Sequence, residues 1–238
     1  MSPLGREAGA ELMDRPDQDP GQLARSLADL RGVNRWLGGT RVVLRHLARL
    51  LARHPQAEYR ILDVGTGSAD IPLAVARWAR RRGVRVRVLA TDNHPGTLAV
   101  ARARTAGEPA VETALADARR LPYRDGCFDV ALCASALHHF DDLRDVIRVL
   151  RELERVAALG VIVSDLARSR PALAGARLLA ATLWRAHPVT RHDGPLSVRR
   201  AFTPAELRDV VRRAGLRGAR VHAHFPFRLA LVAEKARA

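Results

Sequence analysis

Lysine is nearly absent from this chain of 238 residues: Lys235 stands alone, and the other 39 of its 40 basic residues are arginine. Against 25 acids they leave a formal net charge of +15. A charge of that size marks a nucleic-acid or anionic-membrane partner when the cations gather on one face. Here the arginines are scattered through almost every segment, as a GC-rich coding bias scatters them, and a nucleic-acid partner is not expected. Cysteine is also scarce. Cys127 and Cys133 lie six residues apart on one predicted strand and cannot bridge to each other. With no Cys-x-x-Cys pair, a disulfide framework is excluded and a reducing cytoplasm is expected. No stretch reaches the ~18 uninterrupted apolar residues of a membrane span. Acids and prolines precede the first apolar run, so the N-terminus does not read as a signal peptide. Repeats and low-complexity linkers are lacking too. What remains is ordinary for a globular protein, 47% apolar and 27% charged, and long enough for one ample domain with a decoration.

The most informative stretch runs from Arg60 to Pro72. Ile61, Leu62 and Val64 form a short apolar run around Asp63, which reads as a buried parallel strand. Gly65 and Gly67 then allow a sharp turn and a close backbone approach to a ligand. From Ala69 the pattern turns helical through Leu73, Val75, Ala76 and Ala79. A dinucleotide fingerprint would need a third glycine at position 70, where the chain has Asp70. The acidic-x-Gly-x-Gly-x-small pattern fits instead, with Asp63, Gly65, Gly67 and Ala69.

Alternation sets the fold class. Strands are predicted at Val84–Leu89 closing at Thr91-Asp92, at Val111–Leu115, at Cys127–Cys133 and at Leu159–Ser164. Helices are predicted to about Arg82, over 96–104 and over Asp142–Val156. This spacing implies a parallel, doubly wound α/β sheet that binds ligands at the carboxyl ends of its strands. Before it, Leu23, Leu27 and Leu30 mark a short helix from Pro20, and Asn34 can cap a longer one that Gly38 and Gly39 weaken. Residues 1 to about 18 are mixed, the first few expected to be disordered. After the sheet core come an apolar helix from Pro171 to Trp184 and a polar loop from His187 to Arg199. Thr203 and Pro204 open a last helix, and Val221–His224 and Phe227–Ala233 form a closing hairpin.

The chain resembles the class I S-adenosylmethionine (SAM)-dependent methyltransferases, of the UbiE-like, small-molecule type. Four signals carry the resemblance across residues 60–165: the glycine turn, Asp92 at the end of the second strand, Ala116-Asp117-Ala118 after the third, and Phe128-Asp129 with His138-His139-Phe140 around the fourth. It implies a Rossmann-like, seven-stranded sheet with an antiparallel last strand. Residues 1–56 would be a helical extension or lid, and 57–238 the cofactor-binding domain with a substrate-binding insertion at about 168–202. It implies SAM as cofactor, held by Asp63, Gly65, Thr66, Gly67, Asp92, Asn93, Asp117, Ala118 and Ser135, with S-adenosylhomocysteine as product. Asp92 would bind the ribose hydroxyls and Asp117 the adenine amine.

Methyl transfer from a sulfonium needs positioning, and a base only where the acceptor carries a proton. The apolar helix at 171–184 suggests a hydrophobic acceptor: a phenol, a polyketide-type aromatic or a quinone precursor. His138, His139 and His192 are the candidate bases, and Trp36, Arg191 and Arg199 the candidate acceptor contacts. O-methylation is the first reading. C-methylation of a quinone precursor and RNA methylation are its rivals, the last predicting arginines gathered on the cofactor side. An NAD(P) oxidoreductase is disfavoured by Asp70. No metal set is expected, because the histidines lack ligand spacing. The partners expected are the acceptor and, at most, a second copy in a homodimer.

Overall fold

A computed structural model describes residues 4–235, and the expected disorder of the first few residues falls on 1–3, outside that range. Five strands run parallel: β1 (Tyr59–Val64), β2 (Val86–Asp92), β3 (Val111–Leu115), β4 (Phe128–Ala134) and β5 (Ala157–Leu166). Two more follow near the C-terminus, β6 (Arg220–His224) and β7 (Arg228–Glu234). The sheet order is β3-β2-β1-β4-β5-β7-β6, with β7 antiparallel to both neighbours. Alternate side chains supply two cores. Leu62, Ala131, Cys133, Val161 and Val163 face α5 (Leu143–Val156) and α8 (Pro204–Ala214), while Ile61, Val130, Leu132 and Ile162 face α2 (Gly39–Arg53) and α3 (Asp70–Arg81). Being buried on both faces is why β1, β4 and β5 read as continuous apolar runs. Helix α5 buries Val146, Val149, Leu150 and Leu153, one stripe at helical spacing. Thr203 and Glu206 close a reciprocal capping box on α8.

Strand order reverses between β1 and β4, whose carboxyl ends part to leave a crevice. Helices α1 (Pro20–Trp36), α6 (Arg170–Ala181) and α7 (Pro188–Arg200) line the cavities there, and α4 (Pro95–Thr105) packs on β2 and β3. Two expectations are corrected. Asn34 does not cap a second helix; it lies in the last turn of α1, and the break comes at Gly38, with φ +84°. The polar loop expected at His187–Arg199 is helix α7, with Pro195 inside it. Tertiary contacts override its weak propensity. Asp193 accepts the backbone N–H groups of Leu12 and Met13 at 2.9 and 3.0 Å, and Thr190 donates to Asp29 at 2.7 Å. Gly194 admits the Trp184 ring, which a Cβ there would meet at 2.6 Å.

Candidate active site

The chain leaves β1 through Gly65, Thr66 and Gly67, with φ +68° and +57° at the two glycines. A Cβ on Gly65 would lie 2.6 Å from that of Ala136, so only glycine fits. The turn lines a cavity of about 690 Å³ at the carboxyl ends of β1, β2 and β4. Asp63, Asp70 and Asp92 line it too, and Arg119 is its only arginine among the described lining residues. Asp63 accepts the Thr66 hydroxyl through Oδ2 at 2.6 Å, while its buried Oδ1 has no hydrogen-bond partner. Burial pushes its pKa up to about 7, against the Thr66 bond and with Asp70 and Asp92 adding to the rise. Asp92 accepts the N–H groups of Gly67 and His94, each at 3.0 Å, and so pins the glycine turn. An orphaned, buried carboxylate oxygen suits a ligand that brings positive charge and no phosphate, and the ammonium and sulfonium of SAM fit that description.

A second cavity, of about 330 Å³, shares Met13, Leu30, Ser135 and His139 with the first. Its walls are apolar, with Leu166, Ala172, Ala176, Leu179, Trp184 and Val198 among them. Its charged end is formed by Glu11, His138 and His139, the histidines from a 3₁₀ turn just after β4. His138 Nδ1 lies 2.6 Å from Asp165 Oδ1, and the His138 N–H donates to Oδ2. Burial would raise Asp165, but His138 and the Leu166 N–H outweigh it and hold this carboxyl below its ordinary pKa. Asp165 therefore accepts, and Nδ1 of His138 carries the proton. His139 repeats the arrangement with Asp14 at 2.7 Å. Burial would lower its pKa, but Glu11 and Asp14 raise it to about 10. Between the cavities, the buried Arg228 donates to Ser135 Oγ at 2.8 Å and to Asn34 Oδ1 at 3.2 Å, and Asn34 donates on to Asp70. Burial lowers the Arg228 pKa to about 10, with Asp165 and Asp70 opposing the fall.

Thr66, Asn93, Ala118 and Ser135 line the first cavity with Asp63, Gly65, Gly67 and Asp92. Asp117 does not: the Arg119 guanidinium, 2.9 Å away, turns its carboxylate outward and lowers its pKa. His139 holds a proton at neutral pH, so it offers charge rather than a base. His192, Arg191 and Arg199 lie outside both cavities, bonded to Asp193, the Arg185 carbonyl and Glu7. The cause is helix α7, whose cavity face carries Thr190, Asp193, Gly194, Ser197 and Val198 and turns the three away. Trp36 is 75% exposed beside Arg35 and lines neither cavity, whereas its neighbour Asn34 lines the first. Glu11, Asp165 and Arg228 went unforeseen. Asp165 had a signal, as an acid near the carboxyl end of a predicted strand; Glu11, 127 residues before His138, had none. Glu11, His138 and His139, not expected as a ligand set, bring ligand atoms within 4.8 Å of one another.

Comparison with known proteins agrees with this geometry. Residues 62–163 match the family described as methyltransferase domain. A demethylmenaquinone methyltransferase of Deinococcus radiodurans is 32% identical over 117 residues, 47% of this chain and 46% of that protein. The ubiquinone/menaquinone biosynthesis C-methyltransferase UbiE of Rickettsia akari is 30% identical over 116 residues, 46% and 47% of the two chains. The chain thus spans about half the length of the curated relatives it matches. A SAM-dependent methyltransferase from Aquifex aeolicus superposes with a TM-score of 0.61 over 92% of this chain and all of that one, at 16% identity. Its likeness is one of fold. A methyltransferase domain is thus matched across residues 62–163, the core of the sheet, and the fold around it is the one seen in a SAM-dependent methyltransferase.

Proposed function

We propose that the protein methylates a hydrophobic, hydroxylated aromatic, with the phenolic oxygen as acceptor. The observation that carries this is the junction of an acid-lined cavity with an apolar one whose charged end, through His139, borders the first. Bound SAM supplies a methyl group already activated on sulfur. The rest falls to the chain. Asp63 and Asp70 offer negative charge to the cofactor, and the glycine turn admits it closely. Leu166, Ala176, Leu179 and Val198 hold the aromatic body and exclude water. His138, protonated on Nδ1, presents a free Nε2 that accepts the acceptor's hydroxyl proton, while Asp165 stabilises the imidazolium formed. Ring-carbon methylation next to a hydroxyl is the second reading, favoured by relatives named C-methyltransferase and demethylmenaquinone methyltransferase. RNA methylation loses ground, since the cofactor cavity is lined by acids. Two free cysteines support a cytoplasmic location. Among the described residues no helix is long and apolar enough to cross a membrane.

The test is transfer of labelled methyl from SAM to a panel of phenols and quinols, with mass spectrometry and NMR locating the label. H138A should lower kcat by about 10²- to 10⁴-fold, the usual worth of a positioned base, while SAM affinity holds. Label on a ring carbon would select the second reading. Transfer to no member of the panel, with S-adenosylhomocysteine bound normally, would sink both.

A further inference from the structure

The charged end of the acceptor cavity holds a contradiction. His138 gives its Nδ1 proton to Asp165, so the lone pair of Nε2 points toward Glu11 Oε1, 3.7 Å away. His139 gives Nδ1 to Asp14 and aims Nε2 at the other oxygen of the same carboxylate, 3.8 Å away. Both separations are too long for a hydrogen bond. Glu11 is only 1% exposed, and its Oε1 has no hydrogen-bond partner. Arg200 Nη1 approaches that oxygen to 3.7 Å and is likewise without a hydrogen bond. A buried carboxylate thus faces two imidazole nitrogens, one toward each of its oxygens, at separations that no hydrogen bond spans.

We propose that Glu11, His138 and His139 bind a divalent transition ion of the zinc type. Two imidazole nitrogens and one carboxylate form a three-ligand set known from catalytic zinc sites, which keep a further position open. Imidazole favours zinc, copper, iron and nickel over magnesium and calcium. The outer shell is complete. Each ligating histidine has its second nitrogen on a carboxylate, Asp165 or Asp14, the arrangement that fixes ring orientation and strengthens the ligand. Two ligand atoms each about 2.1 Å from a shared ion lie some 3–3.5 Å apart in tetrahedral or tighter geometry; the two histidine–Glu11 separations, 3.7 and 3.8 Å, exceed this by a few tenths of an ångström, and all three ligand atoms lie within 4.8 Å of one another. Arg200, 3.7 Å from Glu11 Oε1, balances the remaining carboxylate charge.

The place of the site gives the ion a use, and this part alone rests on the proposed acceptor. All three ligands line the apolar cavity. With the ion bound, His138 Nε2 would be a ligand and not the base proposed above; the acceptor's oxygen would complete the coordination as its anion, the hydroxyl proton passing to solvent. Binding itself is independent of that reading, because it can be measured with neither cofactor nor acceptor present.

The experiment is dialysis of the metal-stripped full chain against zinc, then desalting and metal analysis, with cobalt(II) absorption as a report of ligand geometry. One equivalent should be retained, and zinc should raise the melting temperature. E11Q and H139A should each lower affinity by at least 10-fold, and D165N and D14N by about 10- to 100-fold through the outer shell. H224A controls for the separate histidine trio at His46, His222 and His224 and should bind as wild type does. Near-ultraviolet circular dichroism and S-adenosylhomocysteine binding show whether each variant is folded. No retained zinc in wild type, or retention that survives E11Q and H139A in folded protein, would overturn the site.

Discussion

Asp63 is a carboxylate placed where ionisation costs energy. Its folded pKa, about 7, stands above the ordinary 3.8, so the folded chain holds this proton more tightly than the unfolded chain does. The stability it contributes is complete below about pH 4 and is lost as pH rises through 7, amounting to about 4 kcal/mol at most. D63N keeps the shape and cannot ionise. It should melt higher than wild type without ligand, by a margin that widens between pH 5 and pH 8 and reaches about 10 °C. It should also weaken S-adenosylhomocysteine, whose ammonium would lose its partner, and calorimetry at pH 8 reads that directly. In wild type near pH 7, ligand binding should release a proton from Asp63, seen as binding heats that differ between buffers of unlike ionisation enthalpy. Equal melting of D63N and wild type at both pH values would show that Asp63 is not strained by its burial. Residues of this local kind were legible in the sequence. Gly65 and Gly67 sit within a strand–turn–helix unit whose geometry is set by neighbours in the chain, and Asp92 closes the next strand, where it accepts the Gly67 N–H. Asp117 was legible as an acid in the right place but not in its direction, because Arg119 two residues on captures it.

At the scale of elements, β6 is the edge strand, and its tie to α2 is a histidine contact. His46 of α2 lies with Nε2 2.9 Å from Nε2 of His224, and His222 stands beside it at a ring separation of 5.2 Å. Burial first, then His224, His222 and the arginines Arg49 and Arg45, lower the His46 pKa to about 4; burial lowers His224 as well. A histidine whose folded pKa lies below its unfolded 6.5 contributes stability above that value and loses it as pH falls toward 4. The loss is up to about 3 kcal/mol, less whatever solvent screens at the open side of the trio. Urea midpoints at pH 7.5 and 5 should therefore drop more for wild type than for H46L. Parallel loss in both would assign the acid sensitivity elsewhere. The elements themselves were largely readable, since β1 to β5 and α5 carry apolar patterns fixed by burial on a sheet. Helix α7 was not. Its Pro, Gly and polar residues signal a loop, and it is helical because Asp193, Thr190 and Gly194 lock onto residues distant in sequence. That one misreading displaced three site residues at once, His192, Arg191 and Arg199.

The whole molecule carries +15, yet little of that charge faces the site. Many arginines are spent in pairs with nearby acids, Arg80 with Glu108, Arg155 with Glu152 and Asp125, Arg212 and Arg213 with Asp209. Three others are buried structural donors: Arg168 on the Ala201 carbonyl, Arg200 on those of His138 and His139, Arg228 on Ser135. The remaining surplus is spread, with one concentration in a cleft outside both cavities that holds Arg49, Arg220 and Lys235 beside the Arg53–Glu234 pair. Such a surface attracts polyanions through released counterions, without orienting a base toward the glycine turn. A labelled RNA oligonucleotide should bind at 50 mM salt, weaken by about 10³-fold or more by 200 mM, and ignore saturating S-adenosylhomocysteine. Anisotropy titrations across that salt range, with and without the nucleoside, measure both. Binding that persists at 200 mM and responds to the nucleoside would mean that RNA reaches the cofactor cavity. The dispersal of arginine, read first as coding bias, would then have concealed a substrate surface.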